Sequence, residues 1–182
     1  MPHPAFAEAM RRVVSGQTEA KSVIVIDAPP AGEIGEPGLG GLYEIWHEAL
    51  AEKLDPHDGR DRGETEPALS PSRGCVKVRW FVIEPAPEGA PAALIKQAAR
   101  ARFAQFHAET HLRDQDRHPA MHQTDTLDII CLLEGEASLI LDDGETRLKP
   151  GQVVIQRGVS HAWTAHGGPA LLLAVLIDRA MA

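Results

Sequence analysis

The sequence predicts a mainly β chain that closes as an antiparallel sandwich or barrel. Three observations carry this. After Asp116, short apolar runs alternate with tight turns: L-D-I-I-C-L-L, E-G-E, A-S-L-I-L, D-D-G-E, T-R-L, K-P-G, Q-V-V-I-Q, R-G-V-S, H-A-W-T, H-G-G-P and A-L-L-L-A-V-L-I-D. Strands of this length and spacing build sandwiches and barrels. The segment C-V-K-V-R-W-F-V-I (Cys75–Ile83) alternates cleanly, with Val76, Val78, Trp80 and Val82 on one face and Lys77, Arg79, Phe81 and Ile83 on the other. Finally, Asp143-Gly144 suits the positive φ angles of a two-residue hairpin turn.

Taken in order, residues 5–14 place Phe6, Met10, Val13 and Val14 on one helical stripe, which predicts a short amphipathic helix ending near Ser15-Gly16. K-S-V-I-V-I-D (residues 21–27) is β-branched and reads as a strand. Residues 28–41 are dense in Gly and Pro. Their glycines at 32, 35, 38, 40 and 41 fit neither G-x-G-x-x-G nor a Lys-bearing phosphate loop, so a plain loop is expected. G-L-Y-E-I-W-H-E (residues 41–48) reads as another strand, and residues 55–67 as a polar, mobile surface excursion. Between residues 91 and 106, Ile95, Ala98, Ala99, Phe103 and Phe106 recur at helical spacing behind Pro91, which predicts a second helix.

A chain of 182 residues is long enough to bury a real core in one domain. Its net charge of −8 argues against nucleic acid, because phosphate binding needs a concentrated positive field. Cys75 and Cys131 are too few for a disulfide framework, and Cys131 reads as a small buried hydrophobe within its strand. The N-terminus lacks the basic start and long apolar run of a signal peptide, and the longest apolar run, residues 170–177, is far below a membrane span. A cytoplasmic protein with no membrane partner is expected.

Chemistry concentrates in M-H-Q-T-D-T-L-D (residues 121–128), which runs directly into a buried strand. His122, Thr124, Asp128 and Gly135 keep the spacing H-x-T-x3-D-x6-G, and Gly151, Gly158 and His161 follow. These residues resemble the two motifs of the cupin superfamily, G-x5-H-x-H-x3–4-E-x6-G and G-x5-P-x-G-x2-H-x3-N. Thr124 stands at the second His and Asp128 at the Glu, and the opening Gly is missing. The second motif is one residue short, with Gln156 near the expected Pro and Ala165 at the Asn. The resemblance covers about a third of the chain. It implies a jelly-roll, double-stranded β-helix barrel with its core in residues 116–182. Residues 1–115 form an N-terminal extension whose strands either complete the barrel or build a subunit interface.

The resemblance also implies a divalent metal (Fe, Mn, Ni or Zn) held by His122, Asp128 and His161. Two imidazoles and a carboxylate can occupy one face of an octahedral ion and leave positions open for water, oxygen or substrate. Thr124 would hold a metal-bound water or substrate oxygen as the catalytic side chain. Fully extended, His122 and Asp128 would lie about 20 Å apart at ~3.3 Å per residue, so chelation requires a bend through Thr124-Asp125-Thr126. The competing reading has no metal: Thr124 and Asp128 bond within the bend and Asp128 orients His122. Arg79, Phe81 and Trp163 are the ligand-pocket candidates, against plain packing (for Arg79 and Phe81, edge-strand packing). His118 can approach the mouth, while His3, His47, His57, His107, His111 and His166 read as surface residues. Ser138 and Ser160 lack a His–Asp partnership at recognisable spacing.

The expected function is a metal-dependent small-molecule enzyme of dioxygenase, decarboxylase, isomerase or hydratase type. The alternative is a metal-free barrel that binds or senses a small organic ligand. A homodimer is the partner that the resemblance implies.

Overall fold

The structure, a computed structural model, describes residues 2–36 and 40–181. A one-turn 3-10 helix (Pro4–Phe6) precedes the hairpin of β1 (Arg12–Thr18) and β2 (Lys21–Ala28). Then come β3 (Gly32–Glu36), β4 (Gly40–Ala49), β5 (Cys75–Ile83) and helix α1 (Ala92–Gln105). The remainder contributes β6 (Thr126–Glu134), β7 (Ala137–Leu141), β8 (Glu145–Leu148), β9 (Val153–Arg157), β10 (His161–Ala165) and β11 (Ala170–Asp178). Each strand expected after Asp116 is present.

All strand pairs are antiparallel. One sheet runs β3-β4-β5-β11-β6-β9 and faces a smaller one, β10-β7-β8. The β1–β2 hairpin forms a separate ribbon. The result is mainly β, of the jelly-roll, double-stranded β-helix type. Strands β3, β4 and β5, drawn from the N-terminal half, are bonded into the same sheet as β11, β6 and β9.

Period-two alternation explains the core. Leu132 and Leu172 from the large sheet meet Leu139, Leu148 and Trp163 from the small one. Each fully buried leucine contributes about 2 kcal/mol. On the outer face of the large sheet, Phe6 and Met10 pack over Tyr43, Trp80, Val82 and Leu171. Phe6 and Met10 therefore do bury together, but not on a helix. After the 3-10 turn the chain straightens, and residues 12–18 pair with residues 21–28. The run Val13-Val14-Ser15-Gly16 is poor in helix formers, so ladder hydrogen bonds prevail there.

Three other expectations need correcting. Within residues 28–41, Gly32–Glu36 forms β3 and pairs with β4 rather than staying a plain loop, while residues 37–39, Gly38 included, lie outside the described residues. At the β7–β8 hairpin only Gly144 takes a positive φ, +88°. Leu141 N–H donates to Gly144 C=O at 3.1 Å, so the two residues enclosed are Asp142 and Asp143, and Gly144 follows the turn rather than sitting at its centre. Cys131 is half-buried on the outer face of β6, and both cysteines are free.

The loop at 55–67 has neither helix nor strand, yet it is tied down. Arg12 forms a short bidentate pair with Asp61, Gln17 N–H donates to Pro56 C=O at 2.6 Å, and Asp58 binds Arg60 and Arg62. Helix α1 forms where its spacing predicts and ends in the edge-on pair Phe103–Phe106, with ring centroids 6.5 Å apart. No described helix is long and apolar enough to cross a membrane.

Candidate functional site

A cavity of about 600 Å³, open on one side, lies in the barrel. Its walls are largely apolar and include Phe81, Ile130, Trp163 and Ala174, and α1 with its C-cap covers it through Ile95, Phe103 and Phe106. The polar side chains on its wall include His122, Thr124, Asp128, His161, Arg79 and His118.

His122 and His161 are brought together by the backbone. Each donates its main-chain N–H to the other's carbonyl at 2.9 Å, extending the small sheet past β10 by one bridge. Their rings lie 4.2 Å apart, centroid to centroid, tilted by 55°. The Nδ1–H of His122 donates to Ala120 C=O at 2.9 Å, and that of His161 to Val159 C=O at 2.8 Å. A carbonyl only accepts, so the tautomer is fixed and each neutral ring keeps a lone pair on Nε2. Burial holds both rings neutral. His122, under the edge of Phe103 at 5.1 Å, is pushed down to about 3 by burial and then by His161. His161 is lowered by burial against the opposing bond to Val159.

The expected bend is present. The chain bends at Asp125, and Thr124 Oγ1 and Thr126 Oγ1 share a hydrogen bond of 2.7 Å as β6 begins. The bend does not deliver Asp128 to the imidazoles. Among the described residues no group of three or more His, Cys, Asp and Glu side chains is arranged to hold a metal ion. Asp128 is placed instead by β6: it faces inward in one cross-strand row with Leu176 and Gln156. Burial raises its carboxyl to about 6, against a hydrogen bond with Thr126 and the charge of Arg79.

Arg79 lies on the cavity wall, and β5 is interior to the sheet, between β4 and β11, rather than an edge strand. Its Nη2 is 2.8 Å from Glu44 Oε1 and 2.7 Å from Ala68 C=O, and its Nη1 is 3.1 Å from Leu69 C=O. Lys77, one inward position earlier, is also buried, and burial and Arg79 lower it to about 8. Phe81 and Trp163 wall the cavity edge to face, 6.1 Å apart.

Several of these residues escaped the sequence reading. Gln156 sits directly across from Asp128, and both its amide atoms lack hydrogen-bond partners among the described residues. Its inward parity in Q-V-V-I-Q was the available signal, as was that of Lys77 beside Arg79 and Phe81. Glu44 offered none before β4 was in register with β5. Ser138 Oγ does meet a histidine, His166 Nε2 at 2.8 Å, but neither residue lines the cavity.

No family model matches the chain. Phomopsin biosynthesis cluster protein C' of Diaporthe leptostromiformis is 50% identical over 44 residues, 24% of this chain and 23% of that protein. Cupin-domain-containing oxidoreductase virC of Hypocrea virens is 41% identical over 63 residues, 32% of this chain and 32% of that protein. The matches thus span about a quarter to a third of the curated relatives' length. Among solved structures, an RmlC-like cupin family protein with a double-stranded β-helix fold from Methanocaldococcus jannaschii is 13% identical, covering 57% of this chain and 71% of that one with a TM-score of 0.36.

Proposed function

We propose, from the premise that this is a cupin-fold chain, that it is a small-molecule enzyme of oxidoreductase type with its reaction centre at the His122–His161 end of the cavity. The observation that carries the reading is the pair of neutral imidazoles whose Nδ1–H groups are both committed to backbone carbonyls. Such a second interaction fixes the tautomer and leaves Nε2 as a ligand atom. Two such donors on one cavity fit a divalent ion (Fe, Mn, Ni or Zn), with Asp128 outside the donor set. A metal bound there supplies Lewis-acid polarisation of a substrate oxygen, or redox chemistry with oxygen if it is iron.

The chain's own residues do the rest. Thr124 presents a hydroxyl to the cavity, steadied by Thr126, and is suited to hold a substrate oxygen. Phe81, Trp163 and the α1 cover exclude water, which strengthens each polar contact inside. The homodimer belongs to the same reading, and light scattering at micromolar concentration tests it.

Elemental analysis of protein purified without chelator or metal-affinity tag tests the metal. Stoichiometric metal that is lost in His122→Ala and His161→Ala supports the reading; no metal after reconstitution removes it. The missing third donor favours a second reading, a metal-free barrel that binds a small organic ligand without turning it over. Ligand-dependent melting that is unchanged by chelator, without turnover in the presence of any of the four metals, would select it.

A further inference from the structure

Beyond the imidazoles, the cavity wall carries polar atoms without partners. Arg79 Nε and Asp128 Oδ1 are buried and hydrogen-bonded to nothing among the described residues. Buried polar groups in folded proteins are nearly always satisfied, and each one left bare is destabilising. Arg79 cannot turn to find a partner, because Glu44 and the carbonyls of Ala68 and Leu69 hold its other nitrogens. Arg79 and Asp128 feel each other's charge across β11, yet they form no ion pair or hydrogen bond with one another. Arg79's row crosses β11 at the small Ala174 and Asp128's row at Leu176, one inward position further on, and both β11 residues are on the cavity wall.

We propose that Arg79 Nε–H and Asp128 Oδ1 are the two halves of a head-group subsite that takes a carboxamide-like neutral head, accepting from Arg79 and donating to Asp128, on an otherwise apolar ligand. Charge balance selects the head. Arg79 and Asp128 line the cavity, Lys77 and Glu44 are buried outside its lining, and the four together carry no formal net charge. A carboxylate head would meet Asp128, and an ammonium head would meet Arg79. A carboxamide carries its acceptor and donor on different atoms and can span the gap. Gln156, across from Asp128 but outside the cavity lining, has both amide atoms without partners among the described residues. The body is set by Phe81, Ile130, Trp163 and the α1 residues, within about 600 Å³.

This rests on the cavity being a ligand site, as proposed above, but not on the metal. The test therefore uses chelator-treated protein and calorimetric titration with octanamide, octanoate and octylamine, which share one apolar body. Octanamide is expected to bind about tenfold or more tightly than either charged analogue, the discrimination one unpaired buried polar contact gives. Asp128→Asn removes the like charge and is expected to raise octanoate affinity about tenfold, a gain that misfolding cannot mimic. Equal affinities in the parent protein, no binding of any of the three, or an unchanged amide-to-carboxylate ratio in Asp128→Asn each overturn the subsite. None of these outcomes bears on metal content, which the elemental analysis reads separately.

Discussion

His122 and His161 hold each other by reciprocal main-chain hydrogen bonds of 2.9 Å, although 39 positions separate them in the chain. The bond pattern makes their ring geometry a property of the backbone. Each ring is then locked a second time by the carbonyl two residues before it, Ala120 for one and Val159 for the other. A donor pair held this way needs no carboxylate to orient it.

That arrangement separates the roles of three residues that a motif would treat alike. Replacing either histidine by alanine removes half the donor set and is expected to abolish metal retention through gel filtration. Asp128→Asn is expected to change metal affinity less than about fivefold, well short of the 10–100-fold typical even of an outer-shell partner. Competition against a chromophoric chelator reads all three variants. Loss in Asp128→Asn equal to that in the histidine variants would return Asp128 to the ligand set.

Acid stability of the metal-free protein follows from the same rings. An unfolded histidine takes up its proton near 6.5, whereas folded His122 resists until about 3 and His161 is shifted the same way. Below 6.5 the unfolded state therefore binds more protons, and stability falls as pH falls. His118 and His47, also lowered by burial, add to this. Asp128 acts in the opposite sense: its folded value of about 6 exceeds 3.8, so the folded state gains between those limits as it is acidified. The histidines outnumber it, so the urea midpoint in chelator should drop from pH 7 to pH 5. Each buried histidine contributes up to about 1.4 kcal/mol per pH unit, less for the half-buried His122. His122→Gln should flatten the profile, and Asp128→Asn should steepen it below pH 6.

The strands from Thr126 to Asp178 were legible because alternation and turn residues are local signals, and the motif spacing picked out the two histidines that meet. Asp128 shows where spacing stops being informative. Six residues along a chain with a bend in it fit many separations, and only the β6–β9 register puts this carboxyl opposite Gln156. Glu44 reaches Arg79 through a β4–β5 register that shifts by one residue between Glu44 and Trp46, which no period-two pattern encodes. At the N-terminus, Phe6 and Met10 satisfy a helical stripe and also an irregular segment lying on a sheet. Tertiary burial chose the second.

Phe103 joins helix and site. Its ring is edge-on to His122 and to Phe106, and it is the one residue of α1 that is buried among the described residues. Phe103→Ala should destabilise the protein by about 3 kcal/mol, the usual cost of deleting a buried aromatic ring. It should also let water reach His122, so the proton NMR titration of that ring should move up toward 6.5. A loss of stability with the His122 titration unmoved would mean that the helix anchors the fold without shielding the site.

Gly135 turns β6 into β7, and its backbone can be compared with that of another turn glycine. Its φ is +81°, and a Cβ there would sit 2.6 Å from Pro169 C=O and 2.9 Å from Ala170 Cα. Both are main-chain atoms at the start of β11, so no rotamer change relieves the clash. Gly151, with φ +86°, would meet nothing within 4 Å. The left-handed conformation alone costs a non-glycine residue about 1–2 kcal/mol, and Gly151→Ala should lose only that. Gly135→Ala must also push β11 away from the turn, and β11 carries Ala170, Leu171 and Leu172, all fully buried. Its urea midpoint should fall further than that of Gly151→Ala, by the equivalent of about 1 kcal/mol or more from the added overpacking. Equal losses in the two variants would mean that β11 yields freely at its start, so that the apolar end of the barrel is less tightly packed than its buried leucines indicate.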